Sequence, residues 1–373
     1  MNSFNRPQPR PAVRQMNAYS PGKPIWEVKE ELALDHVIKL ASNENPLGAS
    51  PLAQEAILRH LTDIHRYPDA RSQKLKEAIA AVYGVTPDHI LTGNGADELI
   101  TLISETFLTE DHEVIVPTPS FTEYEFGAQL MGATVVPVPL TEDYQYDIRG
   151  ILEAVTPRTK ILYLCSPNNP TGTYLPRCQL NDLLKKLPSS ILVVVDAAYS
   201  HYATEVDYTD GLEYVRAGCP ILVLNTFSKI YGLAGIRVGF ALSDPRIIRD
   251  IHRCKEPFNV NLLAQHAAAA ALYDEEHVRA SRRTVENGRI SLYGAFDRLG
   301  IRFTPSMGNF VLIRVGDRAP DIYEALLRRG IIVRKGDTWG LPDHLRISVG
   351  SEEENEAFVR ALEEIAGESR LAV

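Results

Sequence analysis

Short apolar runs alternate with stretches of helical periodicity through the middle of the chain. The runs are HIL at His89, EVIV at Glu113, TVVPV at Thr134, KILYLC at Lys160, ILVVVD at Ile191, PILVLN at Pro220 and RVGFAL at Arg237. Several are apolar at every position, the mark of strands covered on both faces and hence of a mostly parallel sheet. Between them, SQKLKEAIAAVYG places Leu75, Ile79 and Val82 on one helical face, with Gly84 offering a C-cap. Seven strands alternating with helices predict an α/β domain.

The texture changes towards the C-terminus. NVNLLAQHAAAAALY and EEHVRASRRTVENGRISLYGAFDRL read as helices, the second long enough to link two domains. Strand candidates NFVLIRV, IIVRK and HLRISVG follow, interleaved with helices from Pro320 and Glu352. This predicts a smaller α+β domain over 271–373, after a large domain over 41–270. Residues 1–40 read as an arm that joins the smaller domain, since nothing before Leu40 looks like sheet core.

Composition narrows the function classes. A net charge of -9 argues against a nucleic-acid binder, which normally carries a basic face. The four cysteines (Cys165, Cys178, Cys219 and Cys254) have no metal-like spacing and read as reduced thiols. The ten histidines do not cluster, so no metal is expected. The first sixteen residues are proline-rich and basic without the apolar core of a signal peptide, and no run approaches a membrane span. A cytoplasmic protein is expected.

Ligands of open parallel sheets bind at the carboxyl ends of the strands, and unusual polar residues stand there. After HIL comes TGNGADELI, where the amides of Gly95, Ala96 and Asp97 open a helix. A helix N-terminus entered through glycine is an anion site, although taken alone the stretch reads more readily as an ordinary Asn/Gly turn with Asp97 capping the helix. After KILYLC comes SPNNPTG, whose prolines hold Asn168 and Asn169 in a non-helical loop. After ILVVV comes DAAYSHY, where a buried Asp196 needs a cation or hydrogen bonds unless it caps the next segment. After PILVLN comes TFSKIYGLAGIRVG, with Lys229 recessed among small residues and followed by Arg237. An anion cradle, a fixed amide, a buried acid and a recessed lysine together suit a phosphate-bearing aldehyde. Lysine forms a Schiff base with it, and a carboxylate keeps a pyridine nitrogen protonated.

SPNNPTG, D-A-A-Y and S-K-x-x-G-L-A-G-x-R-x-G, in this order, resemble the fold-type I pyridoxal-phosphate aminotransferases of classes I and II. The resemblance runs from about Tyr19 to the end. It implies that Lys229 bonds the cofactor aldehyde and moves the substrate proton. It implies that Asp196 pairs with the pyridinium, Asn169 and Tyr199 with the phenolic oxygen, and that Phe121 stacks on the ring. Gly95, Ala96, the backbone of Asp97, Ser228 and Arg237 would hold the phosphate.

NAYSPGKP, LASNENPLG, HRYPD, IIVRKG and HLRISVG resemble, more narrowly, the histidinol-phosphate aminotransferases. In that reading Arg334 and Arg346 hold the anionic end of either substrate, histidinol phosphate or glutamate/2-oxoglutarate, in a ping-pong cycle. Asn45 shapes the substrate side with Asn43, and Tyr19 closes over the substrate. Tyr67 reaches the cofactor phosphate of a neighbouring subunit, which implies a homodimer with shared sites. An aromatic amino-acid aminotransferase and a threonine-phosphate decarboxylase remain alternatives.

Overall fold

The computed structural model describes residues 7–14, 16 and 22–371. Its strands are β1 (Ile38–Lys39), β2 (Ile90–Gly93), β3 (Glu113–Thr118), β4 (Thr134–Pro139), β5 (Thr159–Cys165), β6 (Leu192–Asp196), β7 (Ile221–Thr226), β8 (Gly239–Ser243), β9 (Arg302–Thr304), β10 (Phe310–Arg314), β11 (Ile331–Ile332), β12 (Arg334–Lys335) and β13 (His344–Ser348). Seven of them form one sheet in the order β2-β8-β7-β6-β5-β3-β4. The pairs from β7 through β6, β5 and β3 to β4 are parallel, while β8 runs antiparallel to both β7 and β2.

The uniformly apolar runs have a simple cause. Successive side chains point to opposite faces of a strand, and here both faces are covered. Leu162 and Leu164 of β5, Val193 and Val195 of β6, and Ile221 and Val223 of β7 enter one core. Their neighbours Ile161 and Tyr163, Leu192 and Val194, and Leu222 and Leu224 enter the other. The helix Gln73–Tyr83 covers the first core with Leu75 and Ile79, and Gly84 ends it in the left-handed conformation at φ 61°. Val82 departs from the expectation and is exposed. Tyr83, one residue further round, is buried in its place.

A second sheet has the order β12-β13-β10-β9, and β1 pairs with β11 in a two-stranded parallel ribbon. The expected single strand IIVRK is therefore two strands. Ile331–Ile332 pairs with Ile38–Lys39, whereas Arg334–Lys335 pairs with β13, so the chain changes partner at Val333. Strand β1 also corrects the expectation that nothing before Leu40 contributes to a sheet. The backbone of Leu40 continues the contact, donating to Ile332 and accepting from Ser348. The long helix Glu275–Leu299 matches its expected span. It carries Val285 into the core of the large sheet and Leu292 and Phe296 into that of the four-stranded sheet. No helix among the described residues is long and apolar enough to cross a membrane.

Candidate active site

At the carboxyl ends of β5, β6 and β7, a cavity of about 370 Å³ opens between the large sheet and the four-stranded one. The strand ends themselves line it through Cys165, Asp196 and Thr226. Eleven of the proposed residues meet there: Ala96, Asp97, Phe121, Asn169, Asp196, Tyr199, Ser228, Lys229, Arg237, Arg334 and Arg346.

Lys229 follows β7 directly, and its Nζ donates to the carbonyl of Ser42 at 3.1 Å. It lies 5.7 Å from the centre of the Tyr199 ring. Its pKa falls from 10.5 to about 8, chiefly because burial disfavours the ammonium and next because Arg346 repels it. Arg237 acts in the same direction but ranks below Arg346. The neutral amine is the form that attacks an aldehyde, and the lowered pKa makes a share of it available near physiological pH.

Asp196 ends β6 and is buried. Its partners are hydrogen bonds rather than a cation: Tyr124 donates its hydroxyl at 2.7 Å and the amide of Ala198 donates at 3.0 Å. Burial raises the carboxyl pKa, and these two bonds counter it. Each carboxylate oxygen keeps a second lone pair for a further donor. Tyr124 sits one helical turn beyond Phe121 and stacks on Tyr163 at 4.5 Å between ring centres. Sequence reasoning missed it, although its i, i+3 spacing from Phe121 was a usable signal.

The anion corner is built by close approach. Gly95 stands at φ 88° ahead of the helix Ala96–Phe107, and a Cβ there would overlap the guanidinium of Arg237. A Cβ on Gly239 would stand 2.9 Å from the amide nitrogen of Ala96. Arg237 itself has φ 56°, which turns its side chain back over the helix entrance. Its Nη2 donates to the Asp97 carboxylate at 3.0 Å and its Nη1 to the Ser228 hydroxyl at 3.4 Å. The Asp97 carboxylate thus orients Arg237, so that any anion donors at this corner would be the backbone amides of Gly95, Ala96 and Asp97 and not the Asp97 side chain.

On the opposite wall Arg346 is buried in β13, whose five residues are buried on both faces rather than in alternation. Its Nη2 donates to the Ala41 carbonyl at 2.6 Å, and its Nη1 donates to Asn169 Oδ1. The guanidinium lies 5.3 Å from the ring centre of Phe310 and 4.9 Å from that of Trp339. Arg334 lines the outer end with Lys39 and Gly22. Tyr199 is buried and accepts from Asn43 Nδ2 at 2.9 Å.

Three residues stand apart from this group. Asn45 does not line the cavity; its Nδ2 donates to the Ile230 carbonyl at 2.8 Å and to Ser281 at 2.9 Å, and its Oδ1 accepts from Leu47. Those bonds hold the loop, and Asn43 is the loop asparagine that faces the site. Tyr67 is 82% exposed and stacks on Phe258 at 4.7 Å, away from the cavity of its own chain. Tyr19 lies outside the described residues.

The donor set fits pyridoxal phosphate: a recessed amine of lowered pKa, a buried carboxylate with free lone pairs, and a corner where no Cβ is tolerated beside an arginine. Fold and site together define a transaminase of the pyridoxal-phosphate type. The family "Aminotransferase class I and II" matches residues 35–362, and the chain belongs to it.

Within that family the relatives are specific. A histidinol-phosphate aminotransferase of Moorella thermoacetica is 47% identical over 360 residues, covering 96% of this chain and 93% of its own length. One from Symbiobacterium thermophilum is 44% identical over 359 residues, covering 96% and 99%. The solved histidinol-phosphate aminotransferase of Sinorhizobium meliloti, in complex with pyridoxal-5'-phosphate, superposes with a TM-score of 0.89 at 26% identity, covering 98% of this chain and 99% of that one.

Proposed function

We propose that this chain transfers the amino group between histidinol phosphate and 2-oxoglutarate, using pyridoxal phosphate as cofactor. The observation that carries the reading is the pairing of Lys229 and Asp196 on one wall with Arg346 and Arg334 on the other. Bound there, the cofactor supplies an aldehyde for the substrate amine and an electron-poor ring that acidifies the adjacent C–H bond. Asp196 keeps the ring nitrogen protonated. Asn169 and Tyr199 would pair with the phenolic oxygen, Phe121 would stack on the ring, and Ser228, Arg237 and the helix amides would hold the phosphate.

Lys229, largely neutral above about pH 8, would carry the proton from the substrate carbon that bears the amine to the cofactor's former aldehyde carbon, and in the opposite direction in the second half-reaction. Arg346 and Arg334 hold the anionic end, and guanidiniums suit both a phosphate and a carboxylate. One site thus serves both substrates in turn.

The same reading includes a large domain over 41–270, a smaller one over 271–373 joined by residues 1–40, and a cytoplasmic homodimer. The dimer is supported by exposed Leu58, Leu61, Ile64 and Tyr67, which lie along the segment that would carry Tyr67 to a neighbouring site, and by exposed Phe258 stacked on Tyr67. The testing experiment compares kcat/KM for histidinol phosphate and phenylalanine with 2-oxoglutarate as acceptor. Preference for histidinol phosphate supports the reading; preference for phenylalanine replaces it with the aromatic alternative. Lys229→Ala should abolish turnover with either amine.

A further inference from the structure

Arg346 is held by more than its two direct bonds. Strand β13 places His344 and Arg346 two residues apart, hence on one face. Arg346 donates to Asn169 Oδ1. In the same loop Asn168 Nδ2 donates to Thr171 Oγ1 at 2.8 Å, and the hydroxyls of Thr171 and Thr173 are 2.7 Å apart. Thr173 Oγ1 donates in turn to the carbonyl of Tyr144 at 2.8 Å. The Tyr144 hydroxyl lies 3.0 Å from His344 Nε2, which returns the path to β13. Closed through the covalent chain at Asn168–Asn169, Tyr144 and His344–Arg346, these hydrogen bonds form a circuit that crosses twice between the large sheet's loops and the four-stranded sheet.

The protons in this ring have assigned places. Asp343 Oδ1 is 2.6 Å from His344 Nδ1, and Asp343 Oδ2 accepts from Arg314 Nε at 2.7 Å. A carboxylate only accepts, so Nδ1 carries the imidazole proton. His344 is buried, and burial lowers its pKa, so Nε2 is bare and accepts from Tyr144. Tyr144 adopts φ 58° in a turn where its amide donates to the Thr141 carbonyl at 2.8 Å. A left-handed tyrosine is an uncommon conformation that the surroundings must hold.

We propose that Asp343, His344 and Tyr144 form a positioning relay for Arg346, locking β13 against the SPNNPTG loop so that the guanidinium meets the substrate's anionic end at a fixed place. The relay lies outside the cavity and touches neither cofactor nor substrate. It rests on the reading of Arg346 as the anion ligand. Without the relay the strand keeps its sheet partners but loses its second tie to the large sheet, and Arg346 spends less time in register with Asn169.

The test uses the holoenzyme with Tyr144→Phe, His344→Leu and His344→Gln. Glutamine retains an acceptor for the Tyr144 hydroxyl, whereas leucine has none. Tyr144→Phe and His344→Leu should raise KM about five-fold for both histidinol phosphate and glutamate, the scale of one hydrogen bond, with kcat within about two-fold of the parent. His344→Gln should recover most of the loss. A second readout needs no turnover: Trp339 stacks on Arg346, and Trp26 is the only other tryptophan. In a Trp26→Phe background, Trp339 emission titrated with inorganic phosphate should report a weaker Kd in the same variants. Unchanged KM and Kd in Tyr144→Phe, even with a lowered Tm, would overturn the relay by showing a purely structural contact. If His344→Leu does not fold, Tyr144→Phe and His344→Gln decide the outcome. Glutamate separates the two ideas: a parent enzyme that ignores histidinol phosphate sinks the substrate reading, while the relay is still judged on glutamate.

Discussion

Lys229 illustrates how one residue's chemistry is set by its surroundings. Its ammonium is disfavoured by burial and by Arg346, so the folded pKa of about 8 lies below the ordinary 10.5. The sign follows directly. Between these two values the unfolded chain holds a proton that the folded chain has released, so stability rises with pH across that window. Below about pH 8 the folded protein carries the whole penalty of the buried charge. Lys229→Met should therefore raise the Tm of the cofactor-free protein at pH 7 by about 2–4 °C, and the gain should shrink towards pH 10. Scanning calorimetry at the two pH values checks this; an equal gain at both would refute the burial account.

The helix Ala96–Phe107 shows the same logic at the scale of an element. Its apolar face, with Leu99, Ile100, Leu102 and Ile103, packs under the large sheet, and its N-terminus is thereby aimed at the cavity. Glu98 reaches back to the amide of Asn94 at 2.6 Å, which secures the entry turn. A Cβ on Gly95, just ahead of the helix, would overlap the Arg237 guanidinium. Gly95→Ala should displace the guanidinium and strain a positive φ, lowering cofactor affinity about ten-fold or more. Titration of the visible absorbance band with pyridoxal phosphate measures it, and wild-type affinity would rule out the cradle. TGNGADELI alone reads more readily as a plain turn than as a phosphate cradle. The choice depends on Arg237, which is distant in sequence and brought near only by the pairing of β8 with β2.

For the whole molecule the decisive question is whether each site draws on two chains. The exposure of Tyr67 and its stacking on Phe258 leave it facing outward from its own subunit. If it completes a neighbour's site, Lys229→Ala and Tyr67→Ala are defects of opposite halves. Mixing the two variants after dissociation and reassembly should then restore up to about a quarter of wild-type activity, since half the dimers carry one intact site. Activity that never exceeds the sum of the separate variants would remove the shared site. Sedimentation should show a dimer, and Leu58→Asp with Ile64→Asp should shift it towards monomer.

Much of this molecule is legible from its sequence because local chemistry leaves local marks. Apolar runs such as ILVVVD arise wherever a strand is covered on both faces, and the four strand-end motifs carry residue types that only a cofactor site combines. The long helix Glu275–Leu299 was equally plain, since its periodicity is unbroken and Gly300 ends it. Partnership across the chain was not legible. Asn43 and Asn45 look interchangeable in SNENP, yet one faces the cavity and the other ties down its loop, because the chain there is not a strand and Asn43 turns through a left-handed φ of 54°. Tyr124 beneath Asp196, the split of IIVRK between two sheets, and the ring from His344 through Tyr144 to Arg346 all join residues far apart in sequence. Sequence determines what each segment can bury and what chemistry it carries; only the packing of the two sheets decides which of those groups meet.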